Sequence, residues 1–221
     1  MKVMGASIKD SNPKDAVGTA KVPVSTVPMQ VVAELQTYMG RPVNELVVAE
    51  MGLALMEGAL KYGRHNYRVV GVRASVYYDA AFRHRAAWNL GQDIDPDSGL
   101  SHVAKGIATL VVLRDSMLQG NWTDDRPPKG AAREVISDPL YRWWEGVDTD
   151  DDGFSLVTVA LADLVEVRTQ MLMGTWVDTR GARAPDENWV AAFNAAASLL
   201  LQKYPNPVPA FTEVSVQTRK T

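Results

Sequence analysis

The chain has no cysteine, only three histidines and no apolar segment approaching the length of a bilayer. Without thiols, disulfides and thiolate chemistry are excluded, and any metal must be held by oxygen or imidazole ligands, which favours magnesium or manganese. The longest apolar runs, such as 107–113, stop well short of the roughly 20 residues that span a membrane. Met1-Lys2-Val3 opens no export signal, so the expected location is the cytoplasm, with no membrane partner. A formal net charge of -3 gives no long-range attraction to a nucleic-acid duplex and leaves room only for a local basic pocket. The sequence also lacks G-x-x-x-x-G-K-[ST], H-E-x-x-H, G-x-S-x-G and any adjacent His-Asp pair. P-loop, zincin, α/β-hydrolase and His-Asp phosphohydrolase mechanisms therefore have no signature here.

What is present is a chain of 221 residues, 46% hydrophobic, long enough to bury a substantial core. The first 28 residues, rich in Pro, Gly, Ser and Lys, read as an extended arm. Helices are expected over 31–38, over 44–62 between Pro42 and Gly63, over 76–90 with Ser75 as N-cap and Gly91 as stop, and over 101–118. Residues 124–138 read as a linker. No segment alternates with period two between hairpin turns, so the fold class is all-α.

The chain also repeats itself. Residues 107–126 align without a gap on 161–180 with ten of twenty positions identical, among them Arg114/Arg168, Gly120/Gly174, Trp122/Trp176 and Arg126/Arg180. An acidic loop precedes each copy, Asp97-Ser98-Gly99 answered by Asp151-Asp152-Gly153, but Leu156 and Val159 stand in the second copy where the first has His102 and Lys105. The first copy is expected to carry chemistry and the second to pack beside it as a structural echo. The resulting division is a helical domain over 1–128, a helical extension that partly repeats it over 139–205, and a tail over 206–221.

All three histidines, His65, His84 and His102, fall in or just beyond one polar-rich stretch. Between Leu46 and Leu60 the expected helix is apolar except for Glu50 and Glu57, which lie seven apart, on one face, two turns from each other. A buried carboxylate is costly unless paired, so a metal or an arginine must answer them, or they reach solvent at a helix edge. Asp79 and Arg83, four apart and beside His84, suit an ion pair or a metal-phosphate cluster. The loop Asp93-Ile94-Asp95-Pro96-Asp97 sets three carboxylates on alternating positions before a helix, fit for a hard cation or for capping. It is no EF-hand, because its twelfth position is Ala104, and the 148–153 loop fails likewise at Val159. Lys61, Tyr62, Arg64, Asn66, Tyr67 and Arg68, on one turn with His65, offer three cations for phosphates, two aromatic rings and an amide for a base.

Taken in order, NPKDAVGTAKVPVSTVP, EGALKYGRHNYR, YYDAAFRHRAAWNLGQDIDPDSGLSH and GNWTDDRPP resemble the N-terminal domain of phage dATP/dGTP diphosphohydrolases, the family of the MazZ proteins, over roughly 11–128. The resemblance implies an all-α, MazG-like helical bundle, magnesium or manganese ions, and hydrolysis of a purine deoxynucleotide substrate, dGTP or dATP, to monophosphate and pyrophosphate. It further implies a homo-oligomer in a phage-infected cell that supplies dGMP for 2-aminoadenine nucleotides. On this reading Glu50, Glu57, Asp79, Asp93 and Asp95 hold the metal, Lys61, Arg64, Asn66, Tyr67, Arg68 and Arg83 bind substrate, and Glu57, Asp79, His84 and His102 serve the chemistry. Two departures stand out: Gln92 where the family commonly has glutamate, and Lys105 where a second histidine is common. They leave open a non-catalytic nucleotide-binding protein, and the tryptophan-rich second copy leaves open a phage interaction protein.

Overall fold

The computed structural model describes residues 24–128, 137–175, 177–178, 181–182 and 189–203. Most of the extended arm expected over the first 28 residues lies outside the described residues. Among the described residues eight helices carry the fold: α1 (Met29–Met39), α2 (Glu45–Tyr62), α3 (Asn66–Val70), α4 (Ala74–Asn89), α5 (His102–Leu118), α6 (Pro139–Trp144), α7 (Leu156–Leu172) and α8 (Trp189–Lys203). The all-α expectation holds. The described strands are two-residue pairs, of which β1 (Val72–Arg73) and β2 (Trp122–Thr123) run parallel. Among the described residues no helix is long and apolar enough to cross a membrane.

Local chemistry sets the helix ends. The Asn44 side chain accepts from the Leu46 N-H at 2.9 Å, Glu45 complements the dipole in the first turn of α2, and Gly63 at φ 98° ends it. Helix α4 begins at Ala74, one position before the expected cap. Ser75 is taken instead by Asp125, whose carboxylate accepts from the Ser75 N-H at 2.8 Å and from its hydroxyl at 2.6 Å. That contact fastens the start of α4 beside β2. Gly71 allows the close pairing there: at φ 80°, it leaves no room for a Cβ, which would stand 2.8 Å from the Asn121 side-chain oxygen.

The repeat seen in the sequence is a repeat of structure. Helices α5 and α7 are each 17 residues long, and each is capped by a serine hydroxyl, Ser101 onto the Val103 N-H and Ser155 onto the Val157 N-H. In each preceding loop an aspartate folds the turn. Asp95 accepts from the Asp97 N-H and the Ser98 hydroxyl, and Asp150 from the N-H groups of Asp152 and Phe154. One apolar core joins the two copies: Leu35 of α1, Met51 and Leu53 of α2, Ile107, Leu110 and Leu113 of α5, and Leu156, Leu161 and Val165 of α7 are all essentially inaccessible. Helix α4 packs along α5, and α6 along α7. The outer face of α4 remains wet, while its inner face borders a cavity shared with α2 and α5.

Candidate active site

Helices α2, α3, α4 and α5 enclose a cavity of about 390 Å³. Its α4 wall follows the helical period, with Val76, Tyr77, Ala80, Arg83 and His84 facing inward. Glu57 and Lys61 enter one turn apart from α2, Lys105 and Thr109 one turn apart from α5, and His65, Asn66 and Tyr67 from the start of α3. His65 is held at φ 53°, the only non-glycine with positive φ among the described residues. A left-handed non-glycine costs roughly 1–2 kcal/mol, so the packing of this turn must hold it there.

The floor is charged and closely paired. Glu57 is 2% exposed. Its Oε1 accepts from Lys61 Nζ at 2.5 Å, and its Oε2 from Lys105 Nζ. The same Lys105 Nζ stands 3.5 Å from Asp95 Oδ2, tying α2, the acidic turn and α5 together. Burial alone would raise the Asp95 carboxyl. Hydrogen bonds from the Asp97 N-H and Ser98 hydroxyl, with the charge of Lys105, instead hold it below the usual carboxylate range. Beside this group the Nδ1 atoms of His84 and His102 lie 2.9 Å apart, so one ring donates and the other accepts. Burial, reinforced by Lys105 and His102, pushes His84 down to about 4. His84 is therefore neutral near pH 7. His102 lies behind it, 6% exposed, with its Nε2 buried and without a hydrogen-bond partner among the described residues.

Of the residues singled out in the sequence, Glu57, Lys61, Asn66, Tyr67, Arg83 and His84 line the cavity. Asp95 and His102 stand one layer behind it. The others are placed elsewhere. Glu50 shares a face with Glu57, but two helical turns, roughly 10 Å, bring it under a different neighbour: Arg168 of α7 binds both its oxygens at 2.5 and 2.6 Å. Asp79 is exposed on α4, about 100° round the helix from the inward-facing Ala80. The Asp93 side chain is half-buried away from the cavity wall, and its carbonyl accepts from the His102 N-H at 2.9 Å. Arg64 turns back onto the carbonyl and hydroxyl of Ser25. Arg68 forms a fork on Asp115, at 2.6 and 2.8 Å, and that carboxylate is fully buried. Arg64 and Arg68 thus do not line the cavity, because each is held by a partner from another part of the chain.

The five carboxylates expected to hold a metal are accordingly not gathered. Among the described residues no three acidic or histidine side chains are grouped to bind an ion. Both oxygens of Glu57 carry ammonium groups and both of Glu50 a guanidinium. As arranged, these residues do not fit a metal held by the protein alone. Sequence reasoning passed over Tyr77, a further aromatic wall of the cavity, and treated Lys105 only as a departure from a family pattern, whereas Tyr62, one of the two rings of the 61–68 turn, does line the cavity. The inward period of α4 through Tyr77, Ala80 and His84 was the available signal.

The family model described as dATP/dGTP diphosphohydrolase, N-terminal, matches residues 11–126. The chain belongs to this family. It is accordingly an enzyme of the nucleoside triphosphate pyrophosphohydrolase class, and its substrate is a nucleotide. The matched span of the diphosphohydrolase includes α1 to α5 and β2, hence every element that encloses the cavity; α6, α7 and α8 lie beyond it. No curated protein and no solved structure matches the chain.

Proposed function

We propose that the cavity receives a purine deoxynucleoside triphosphate, dGTP or dATP, delivered as its magnesium or manganese complex, and that water is added at the α-phosphorus. The bond from that phosphorus to the bridging oxygen of the β-phosphate breaks, giving the monophosphate and pyrophosphate. One observation carries this reading: a single cavity combines tyrosine walls (Tyr62, Tyr67, Tyr77), three basic side chains (Lys61, Arg83, Lys105) and a neutral imidazole. Rings and the Asn66 amide suit a purine, cations suit the phosphates, and a neutral imidazole can accept a proton. Lys61 and Arg83 would balance charge spreading onto the phosphate oxygens. His84, its second nitrogen oriented by His102, would take the proton of the attacking water, and Glu57 would hold the two lysines in place.

The test is incubation with each deoxynucleoside triphosphate and manganese, followed by separation of products. Monophosphate with equimolar pyrophosphate is the expected result, and release of inorganic phosphate alone would refute it. Glu57→Gln should lower turnover by about 100-fold or more, since loss of its charge unties both lysines. A second reading, nucleotide binding without turnover, draws on the double occupation of Glu57 by lysine. It predicts saturable nucleotide binding and no pyrophosphate. A cytoplasmic homo-oligomer in a phage-infected cell, feeding dGMP into 2-aminoadenine nucleotide synthesis, follows from the family resemblance. Light scattering and nucleotide-pool analysis of infected cells test those two extensions.

A further inference from the structure

We propose that the Lys105 ammonium fills, in this chain, the place that a protein-bound divalent cation would take between Glu57 and Asp95. The site therefore acquires its metal only on the incoming nucleotide. This deepens the reading of the cavity as a triphosphate site, and rests on it only for the last step.

Three observations converge on Lys105. Its Nζ contacts Glu57 Oε2 and stands 3.5 Å from Asp95 Oδ2, so one point charge from α5 bridges two carboxylates that come from different segments. That bridging, between oxygens of separate elements at a buried location, is the task a hard cation performs in an oxygen-ligand site. Next, Lys61 occupies the other oxygen of Glu57. Two ammonium groups thus face two carboxylates, and together they carry the charge of one divalent ion. An added dication would meet their repulsion with no net negative charge to offset it. Finally, Lys105 lines the cavity with its side chain only 14% exposed, so its charge is fixed where the phosphates would lie.

The lysine is covalently part of the site, whereas a bound metal comes and goes with concentration. Removing the ammonium should leave Glu57 and Asp95 with excess negative charge at a site little exposed to water. Such a pair then has to attract a cation or take up a proton.

The experiment is manganese binding to the full-length, nucleotide-free protein, read by electron paramagnetic resonance and calorimetry. The wild type is expected to show no stoichiometric binding. Lys105→Met and Lys105→His are expected to gain one ion per chain, with affinity raised about tenfold or more, and Glu57→Gln placed on either variant should abolish the gain. Two variants of different polarity guard against one of them failing to fold, which circular dichroism would reveal. Stoichiometric binding to the wild type that Glu57→Gln removes would overturn the proposal, as would folded Lys105 variants that gain no ion. Because no nucleotide is present, the result is independent of hydrolysis. A protein with the expected manganese pattern but no pyrophosphate release would refute the proposed function while leaving the role of Lys105 intact.

Discussion

Arg168 of α7 closes a two-pronged ion pair on Glu50 of α2, 118 positions away in the chain. Its counterpart in the repeat, Arg114 of α5, does the same to Glu34 of α1, at 2.7 and 2.9 Å. Each long repeat helix therefore reaches across to α1 or α2, and the two copies are bound into one bundle by matching contacts. The Glu50 and Arg168 side chains are only 9% and 14% exposed. Removing one member of such a pair strips a buried charge of its bidentate partner, at a cost of about 3–5 kcal/mol. Arg168→Met should lower stability by that order in chemical denaturation, and the double variant Glu50→Met with Arg168→Met should recover most of it. Glu50→Gln should leave turnover near the wild-type value. A turnover collapse in a folded Glu50→Gln protein would place Glu50 at the chemistry after all.

Arg68 and Arg83 provide a contrast between a structural and a substrate-facing arginine. Arg68 satisfies the fully buried Asp115, whereas Arg83 is exposed at the cavity wall. Arg68→Ala is expected to cost about 2–4 kcal/mol in stability, with KM little changed wherever the protein remains folded. Arg83→Ala is expected to raise KM for the triphosphate about tenfold with an unchanged denaturation midpoint. Thermal melts and steady-state kinetics on both variants check the pair. The reverse assignment of the two effects would exchange their roles.

Much of this architecture is legible without coordinates because helix ends are local. Asn44, Gly63 and Ser101 mark boundaries through their own backbone and side-chain chemistry, and the repeat fixes α7 by analogy with α5. The extra charges of α2 were legible as well: a buried Glu50 or Glu57 demands a cation. Which cation answers was not, because the partners Arg168 and Lys105 come from helices far along the chain and only packing brings them in. The surroundings of Asp79, which faces solvent, and of Arg68, which meets Asp115 of α5, were not legible either. Spacing on one helix tells which residues share a face but not what that face meets.

The depressed proton affinity of His84 has a signed consequence for stability. In the unfolded chain its pKa is near 6.5, and in the folded protein it lies at about 4. Above pH 6.5 neither state carries the proton. As pH falls toward 4 the unfolded state is protonated first, so stability declines through that window and levels off below it. The groups acting on the ring are Lys105, His102 and Arg83, which disfavour its charged form, and Asp95, which favours it. His84→Gln should therefore flatten the pH dependence of the denaturation midpoint between pH 6.5 and 4, measured against wild type at equal ionic strength. For the same reason the acid limb of kcat/KM should fall below pH 6, and an inflection near 6.5 that His84→Gln removes would contradict the neutral, buried state.

The family match ends at residue 126, yet the core does not end there. Leu156, Leu161 and Val165 of α7 are as inaccessible as Ile107 and Leu110 of α5, and Trp143 of α6 is completely buried. Arg126 joins the two copies at the surface of this core: its guanidinium lies 4.7 Å from the Trp143 ring centroid, donates to the Trp143 carbonyl and pairs with Asp148. A chain cut after residue 128 loses these partners, uncovers the α7-facing sides of α1, α2 and α5, and leaves Glu50 without Arg168. Burying one large apolar side chain contributes roughly 1.5–3 kcal/mol, so losing four or five is comparable to the 5–15 kcal/mol by which a domain is usually stable. The truncated protein is expected to lack a cooperative thermal transition and to bind hydrophobic dye, although every cavity-lining residue is still encoded. A cooperative transition with intact pyrophosphate release from residues 1–128 would show that the second copy is dispensable to the fold.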